Sequence, residues 1–386
     1  MKKVIEGSHA VSHAVALAKV KVISAYPITP QTHIVEMLAE LVASGELDAR
    51  YIRVESEHSA MAAVIGSASA GVRSFTASSS HGLALMHEML HWTAGARLPI
   101  VMAEVNRALG APWNIWADQT DSLAQRDTGW LQFYCEDVQE VLDSIILAYR
   151  LAEQISLPVM VVFDAFFLSH TYEQVDVPEQ AQVDSFLPPW QPADFLDPLN
   201  PRAFNQMASP EFYMEFRYKI QQAMEQALEI YPQIDAEFNA MFGRSYPLVE
   251  LCPAIAGETA PLALVTSGSM TGTARVTQRE LRAQGILFDL IKVRSFRPFP
   301  TQQIRDLLGN YSKVAVIDRN ISLGSGGIFA NEIAGALSSM EQRPTVYPFV
   351  AGLGGRDVTQ TSITEMIQRA LGSTPPEDIL WSGLKA

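Results

Sequence analysis

The chain has 386 residues, of which 48% are hydrophobic, so it is long enough to bury a large core and to form about two domains. Its 28 basic and 42 acidic residues give a formal net charge of −14, which opposes non-specific binding to nucleic acid. Its two cysteines, Cys135 and Cys252, cannot form a disulfide framework or ligate an iron–sulfur cluster by themselves. Because no apolar segment is long enough to cross a bilayer or resembles a signal peptide, we expect a soluble cytoplasmic protein.

Short apolar segments alternate with helical periodicities from residue 8 to about residue 165. An apolar strand at 21–26 precedes a helical pattern, and a strand at 51–55 precedes a helix of small residues at 58–70. The later units of this region have strands at 73–79, 98–105 and 157–166 and helices at 83–96 and 137–155. Repeated units of this kind predict a mostly parallel, doubly wound α/β sheet with helices on both faces.

Residues 171–255 interrupt this alternation with proline-rich, aromatic and acidic sequence, followed by a long helical stretch from 210 to 242. We expect this segment to be an excursion over the surface or onto a partner. Short strands and helices resume near Pro261, which predicts a second, smaller α/β domain. We therefore divide the chain into a first domain of residues 1–255 and a second domain of residues 256–386.

Polar side chains follow four of the predicted strands: Thr29, Glu57, Ser80 and Arg107. In an open α/β sheet the ligand crevice lies beyond the carboxyl ends of the strands, so we expect all four to face one crevice. Thr29 lies in the segment YPITP, where Pro27 and Pro30 restrict the backbone and give its hydroxyl a fixed position. Together the four supply hydroxyls, a carboxylate and a guanidinium, although polar residues are common in such loops without any function.

Residues 87–91 read His-Glu-Met-Leu-His, a pattern in which two histidines one helical turn apart bind zinc and the glutamate acts as general base. A zinc metallopeptidase is therefore a remote alternative. A third ligand is not evident, and apolar residues surround much of the helix, so we expect it to be packed on several sides. Its histidines are then expected in or next to the core.

Three glycine clusters, at 267–272, 323–329 and 352–357, lack the spacing of a dinucleotide-binding loop. We interpret them as tight turns between strands and helices.

Several segments make the sequence similar to the alpha subunit of the pyruvate and related 2-oxoacid:ferredoxin oxidoreductases. The matching strings are YPITP at 26–30, VESEHSA at 54–60, GLALMHE at 82–88, NRAL at 106–109, RDTGW at 126–130 and GLGGRDVT at 352–359. They occur in order along nearly the whole chain. One departure is His81, where family members often have glutamine. The resemblance implies a thiamine diphosphate-binding domain of the pyrimidine type followed by a smaller transketolase-C-like domain.

The resemblance also implies roles for individual residues. Glu57 matches the glutamate that hydrogen-bonds N1′ of the cofactor's aminopyrimidine, where a carboxyl group promotes loss of the proton from the thiazolium C2. Pro27 and Thr29 are expected beside the cofactor, and Thr29 and Arg107 match the residues that hold the substrate's carboxylate. The alternative for Arg107 is a purely structural ion pair with Asp118 or Asp121. Glu57, Arg107 and Thr29 are thus the expected catalytic residues, and no metal ligand is expected.

The implied reaction is coenzyme A-dependent oxidative decarboxylation of a 2-oxoacid, with pyruvate expected as the substrate and ferredoxin as the electron acceptor. A branched-chain or other 2-oxoacid is the main alternative, and a non-catalytic scaffold is another. The chain lacks the G-D-G motif, followed by Asn, that binds the cofactor's diphosphate. The resemblance accordingly implies a beta subunit whose Mg²⁺ holds the diphosphate, together with gamma and delta subunits, and iron–sulfur clusters in partner subunits only.

Overall fold

A computed structural model describes residues 1–372 and 379–385, so residues 373–378 and 386 of the second predicted domain lie outside the described residues. The strands are β1 (Lys2–Glu6), β2 (Val22–Ser24), β3 (Arg50–Ile52), β4 (Ser74–Ser78), β5 (Val101–Asn106), β6 (Leu131–Tyr134), β7 (Val159–Asp164), β8 (Tyr172–Asp176), β9 (Val249–Cys252), β10 (Ala263–Thr266), β11 (Asp289–Val293), β12 (Ser295–Arg297), β13 (Lys313–Asp318), β14 (Thr345–Val350) and β15 (Leu380–Trp381).

The helices are α1 (Gly7–Leu17), α2 (Thr32–Ala43), α3 (Glu57–Ser69), α4 (Ser80–Leu85), α5 (His87–Gly95), α6 (Thr120–Leu123), α7 (Val138–Ile155), α8 (Gln180–Phe186), α9 (Pro210–Phe242), α10 (Met270–Ala283), α11 (Thr301–Leu308), α12 (Ile328–Leu337) and α13 (Gln360–Gly372), with a 3₁₀ turn at Leu353–Gly355.

The first sheet has seven strands in the order β12-β6-β7-β5-β4-β2-β3, and all neighbours except β12 and β6 run parallel. Its central strands β5 and β7 are buried along their whole length, as expected for a parallel sheet covered by helices on both faces. The predicted doubly wound parallel sheet is confirmed. Parallel pairing brings the carboxyl ends of β2, β4 and β5 to the same edge of the sheet.

The second sheet has six strands in the order β15-β14-β13-β10-β11-β9, and only β9 runs antiparallel to its neighbour. The smaller α/β unit is therefore present as predicted. Each sheet also takes a strand from the other side of residue 255, because β9 pairs with β11 while β12 pairs with β6. The division at residue 255 stays a prediction.

The two units share buried side chains. One hydrophobic cluster joins Trp130 and Tyr134 of the first sheet region to Ile291, Val316 and Phe329 of the second. A buried ionic group lies between the units as well: Glu140 of α7 accepts hydrogen bonds from Lys292 at 2.6 Å and Arg294 at 2.8 Å. Arg294 lies between β11 and β12, where the chain crosses from one sheet to the other.

The long helix α9 occupies the residues predicted for it. Pro210 lies in its first turn, and Gly243, at φ 69°, ends it in the left-handed conformation. Its first turns expose large side chains such as Phe212 and Tyr213, and it becomes partly buried from Ile220 onward. A partner for the exposed turns stays a prediction.

The predicted helix at 83–96 is two helices, α4 and α5, that meet at Met86. Only one side of α5 is buried, and both His87 and His91 are exposed. The expectation of a helix packed on several sides with its histidines in or next to the core was therefore wrong, because α5 lies at the protein surface. Within residues 1–372 and 379–385, no helix combines the length and apolar character required of a membrane span.

Candidate active site

Glu57 begins helix α3 directly after strand β3 and the short loop that follows it. The preceding residue, Ser56, caps the helix by accepting a hydrogen bond from the Ser59 amide at 3.2 Å. The Glu57 side chain is buried against Gly82, where a Cβ atom would lie 2.5 Å from Glu57 Oε1, so only glycine leaves room for the carboxylate. No described residue donates a hydrogen bond to this carboxylate. Its oxygens thus retain their capacity to bind a ligand.

Arg107 follows strand β5, and its side chain is also buried. Its Nη1 donates to the main-chain carbonyl of Thr29 at 2.8 Å, and its Nε donates to the carbonyl of Asn114 at 3.3 Å. The ring of Trp113 lies 5.3 Å from the guanidinium carbon. Burial lowers the pKa of Arg107, and the charge of Asp121 partly opposes this effect.

The structure separates two possibilities for Arg107. No carboxylate within residues 1–372 and 379–385 forms an ion pair with its guanidinium, so the structural pairing with Asp118 or Asp121 does not occur. Asp121 instead accepts a hydrogen bond from the Arg107 main-chain amide at 2.8 Å. A buried guanidinium that binds only neutral carbonyls is able to pair with an incoming carboxylate.

Asp121 binds the segments that follow strands β4 and β5. It is fully buried, and its Oδ2 accepts from the amides of both Ser80 and Arg107, at 2.9 and 2.8 Å. Its Oδ1 accepts from Asn106 Nδ2 at 2.7 Å. Burial raises the pKa of Asp121 to about 6, although these hydrogen bonds favour the ionised form. The residues after β4 and β5 are thereby held together.

Ser80 and His81 have local partners. The Ser80 hydroxyl donates to the carbonyl of Ala108 at 2.6 Å, so it supports the loop and does not face a crevice as expected. His81 is exposed, and its Nε2 accepts a hydrogen bond from the Gly110 amide at 3.0 Å. Both residues connect the segment after β4 to the segment after β5.

Pro27 and Thr29 lie in the loop between β2 and α2, and both are exposed. Gln31 fixes this loop by donating from Nε2 to the carbonyl of Tyr26 at 3.2 Å and of Ala77 in β4 at 2.8 Å. No described residue is a hydrogen-bond partner of the Thr29 hydroxyl. The structure therefore brings Thr29 and Arg107 together, while Pro27, which lacks an N–H donor, lies exposed in the same loop.

Sequence reasoning missed three contributors to this site: Gly82, Trp113 and Asn114. The string GLALMHE contains Gly82, but the sequence gives no sign that the glycine faces Glu57. Trp113 and Asn114 follow NRAL within a few residues, and that proximity to Arg107 is the signal that could have found them.

The zinc pattern has no metal-binding geometry here. His87 Nδ1 lies 2.5 Å from Gln125 Oε1, and the rings of His87 and His91 meet edge to face at 5.0 Å. Across the described ranges of the chain, no group of three or more His, Cys, Asp or Glu residues is placed to hold a metal ion. A zinc peptidase would need a third ligand from elsewhere.

Two protein-family models match this chain. One, described as "Pyruvate flavodoxin/ferredoxin oxidoreductase, thiamine diP-bdg", matches residues 13–236. The chain belongs to the pyruvate:ferredoxin oxidoreductase family. The second model of this family, "Pyruvate:ferredoxin oxidoreductase core domain II", matches residues 260–363. The resemblance found in the sequence is thus confirmed.

Relatives in the pyruvate:ferredoxin oxidoreductase family align over almost the whole chain. The pyruvate synthase subunit PorA of Methanothermobacter thermautotrophicus is 51% identical over 99% of this chain and 98% of its own length. The ketoisovalerate oxidoreductase subunit VorA of Pyrococcus abyssi is 49% identical over 94% of this chain and 92% of its own length.

Two solved structures share the fold. The 2-oxoglutarate:ferredoxin oxidoreductase from Magnetococcus marinus has a TM-score of 0.73 and 20% identity and covers 95% of this chain, which spans 65% of that chain. A split-gene transketolase has a TM-score of 0.56 and 14% identity over 95% of this chain and 98% of its own. At these identities the likeness shows the fold alone, and it agrees with the predicted α/β fold.

The residues at the carboxyl edge of the first sheet fit thiamine diphosphate, the cofactor of the matched family. The fit rests on the carboxylate of Glu57, which is buried, without a hydrogen-bond partner among the described residues, and given space by Gly82. Its oxygens are therefore able to accept a hydrogen bond, and the aminopyrimidine of the cofactor provides a nitrogen that shares a proton with a carboxylate.

Proposed function

We propose that this chain is the alpha subunit of a pyruvate:ferredoxin oxidoreductase. The complex oxidatively decarboxylates a 2-oxoacid with coenzyme A, producing an acyl-CoA, carbon dioxide and reduced ferredoxin. The observation that supports this most directly is the buried Arg107 guanidinium, which touches Thr29 and pairs with no carboxylate of the described residues. A small anionic substrate would supply the negatively charged partner that this guanidinium lacks.

Arg107 and Thr29 are proposed to bind the carboxylate of the 2-oxoacid. Two carbonyl acceptors hold the guanidinium through Nη1 and Nε, which orients its remaining N–H groups before a substrate arrives. The substrate's carboxylate accepts from these groups, and the free hydroxyl of Thr29 adds another donor. Because both residues are fixed by the backbone, little conformational freedom is lost on binding.

Glu57 is proposed to hold and move the proton at the cofactor's aminopyrimidine nitrogen. When bound, thiamine diphosphate supplies the carbon that adds to the substrate's keto group and accepts the electrons left by decarboxylation. Burial of most of the Glu57 side chain limits its contact with solvent, which favours proton exchange between its carboxyl group and the cofactor. Pro27, in the exposed loop beside Thr29, is proposed to contact the cofactor.

This chain is proposed to contribute half of the site. Relatives are named as subunits, and the chain lacks the motif that binds a diphosphate and its metal. We propose that a beta subunit binds the diphosphate through Mg²⁺, and that gamma and delta subunits complete the enzyme. With only two cysteines here, the iron–sulfur clusters are proposed to lie in partner subunits, and the complex is proposed to be cytoplasmic.

The relatives favour a 2-oxoacid but give almost equal support to two of them. Identity is 51% to a pyruvate synthase subunit and 49% to a ketoisovalerate oxidoreductase subunit. We propose pyruvate as the substrate, and ketoisovalerate is the second candidate.

The test is an assay of the native complex, purified through an affinity tag on this chain. Reduction of ferredoxin should require both pyruvate and coenzyme A, and the preparation should contain thiamine diphosphate and iron–sulfur subunits. Faster turnover of ketoisovalerate would transfer the proposal to the branched-chain enzyme. Absence of turnover with any 2-oxoacid, despite bound cofactor, would favour a scaffold and contradict the proposal.

A further inference from the structure

A turn of the second unit contacts the loop that encloses Arg107. This turn, Leu353–Gly355, belongs to the string GLGG, and the loop it contacts runs over residues 114–118. Asn114 Nδ2 donates to the Gly354 carbonyl at 2.9 Å, and the Gly355 amide donates to the Ala117 carbonyl at 2.7 Å. The Gly354 amide also donates to Asp118 Oδ2 at 3.3 Å. Three hydrogen bonds therefore hold the loop against the second unit.

Both glycines of the turn are required by its geometry. Gly354 has φ +60° and Gly355 has φ +78°, conformations that other residues rarely adopt. A Cβ atom on Gly354 would lie 2.7 Å from Asn114 Nδ2, and a Cβ atom on Gly355 would overlap Trp116. The turn thus approaches the loop as closely as glycine permits.

The loop connects this turn directly to Arg107. Asn114 donates from its side chain to Gly354, while its main-chain carbonyl accepts from Arg107 Nε at 3.3 Å. Asn114 Oδ1 also accepts from the Trp116 amide at 3.0 Å, which closes a tight turn inside the loop. A displacement of Asn114 by the second unit therefore moves one of the two carbonyls that orient the guanidinium.

We propose that Gly354 positions Arg107 for the 2-oxoacid through Asn114, so that the second unit acts on the substrate site of the first. This inference rests on the proposed function, because it takes Arg107 as the group that binds the substrate's carboxylate. Gly354 is a positioning residue, since it contacts Asn114 and not the reacting groups. A glycine turn that only joined the two units would affect stability without changing substrate binding.

The test uses the tagged native complex carrying Gly354→Ala, Asn114→Ala or both substitutions. Gly354→Ala should raise the half-saturating pyruvate concentration about 3- to 100-fold, the range for weakening one hydrogen bond to a charged group, with little effect on coenzyme A saturation. Asn114→Ala should raise it by a similar factor. Because Gly354 acts through Asn114, the double substitution should be no worse than Asn114→Ala alone.

Gly285→Ala is the matched control. Gly285 has φ +80°, but nothing lies within 4 Å of a Cβ placed there, so the substitution adds backbone strain without a contact. It should lower thermal stability and leave pyruvate saturation unchanged. If Gly354→Ala behaves like Gly285→Ala, or if the effects of Gly354→Ala and Asn114→Ala simply multiply, the inference is overturned.

Arg107→Lys separates this inference from the proposed function. If Arg107→Lys raises half-saturation and Gly354→Ala does not, only the positioning role fails. If neither changes it, the proposed role of Arg107 fails and the positioning role fails with it. If Gly354→Ala prevents assembly of the complex, the Asn114→Ala variant alone tests the positioning role. Unchanged pyruvate saturation in the Asn114→Ala variant would overturn the inference.

Discussion

Arg107 donates from Nη1 to the main-chain carbonyl of Thr29 at 2.8 Å, although the two residues are 78 positions apart in the chain. The contact joins the loop after β2 to the loop after β5, across the strand β4 that separates them in the sheet. Two residues that resemble a substrate-binding pair are thereby in direct contact at one edge of the sheet.

Arg107→Lys should raise the half-saturating 2-oxoacid concentration strongly. Lysine keeps the charge but cannot contact two carbonyls and a carboxylate with one planar group. Thr29→Ala removes only a hydroxyl and should cost less, about 0.5–3 kcal/mol in substrate binding. Steady-state saturation with the 2-oxoacid and with coenzyme A checks this, and thermal melting of the same preparations provides the control. Lower stability with unchanged 2-oxoacid saturation would count against the proposed role.

Glu57→Gln should reduce proton transfer at the cofactor while preserving the size of the side chain. The loss of one positioned acid–base group typically lowers a rate by about 10² to 10⁴. The measurement is exchange of the cofactor's C2 proton with solvent deuterium in the assembled complex, together with the affinity for thiamine diphosphate. Exchange at the parent rate would show that Glu57 does not move this proton.

Glu140→Gln should destabilise the protein by about 3–5 kcal/mol, because it leaves the buried Arg294 without a carboxylate and leaves Lys292 with only Glu136, at 3.2 Å. Burial alone would raise the pKa of Glu140, but the charges of Lys292 and Arg294 outweigh this and hold its pKa below the usual value of 4.5. The folded state therefore binds this proton more weakly than the unfolded state. The contribution of ionised Glu140 to the free energy of unfolding is fully present above pH 4.5 and is lost as the pH falls through the folded-state pKa of Glu140.

Urea unfolding of the Glu140→Gln variant over this acidic range checks the prediction. Glu237→Gln is the control, because Glu237 forms an exposed pair with Arg150 at 3.4 Å and should change the free energy of unfolding by about 0–1 kcal/mol. Equal effects of the two substitutions would be inconsistent with a stabilising buried group.

Glu104→Gln should change the free energy of unfolding by less than about 1 kcal/mol at pH 4.5, despite complete burial, and should make the protein more stable than the parent at neutral pH. Burial raises the pKa of Glu104 well above its usual value of 4.5, and the charge of Asp121 raises it further, so both effects favour the neutral acid. Because the folded state binds this proton more tightly, the Glu104 contribution to stability decreases as pH rises from 4.5 toward the folded-state pKa.

Urea unfolding across this pH range should therefore show a pH-dependent decrease in the parent that the Glu104→Gln variant lacks. The same chemical change at Glu140 is expected to lower the free energy of unfolding at neutral pH. The two variants therefore serve as controls for each other. A loss of several kcal/mol at neutral pH in Glu104→Gln would indicate that Glu104 is ionised in the fold.

The sequence alone was sufficient for the fold class and for several elements. The helix at 210–242 has the predicted bounds, because proline and glycine signals and helical periodicity are local properties. The order of polar residues after successive strands also placed Thr29 and Arg107 at one edge of the sheet, since parallel pairing makes chain order a guide to position.

The sequence could not show which polar side chains face the ligand crevice and which support the loops. Ser80 follows a strand as Arg107 does, but its hydroxyl binds the Ala108 carbonyl. The exposure of His87 and His91 was also missed, because the helical pattern does not say how many sides of a helix are covered.

Chain order determined the sheet edge at which the site lies, whereas tertiary structure alone decided how its groups are held. Arg107 binds carbonyls of Thr29 and Asn114, and Asn114 in turn binds Gly354, which lies 240 residues further along the chain. The contact between Asn114 and Gly354 depends on how the two α/β units pack against each other. Packing depends on the shapes of many side chains together, so it cannot be predicted from local periodicity and residue spacing.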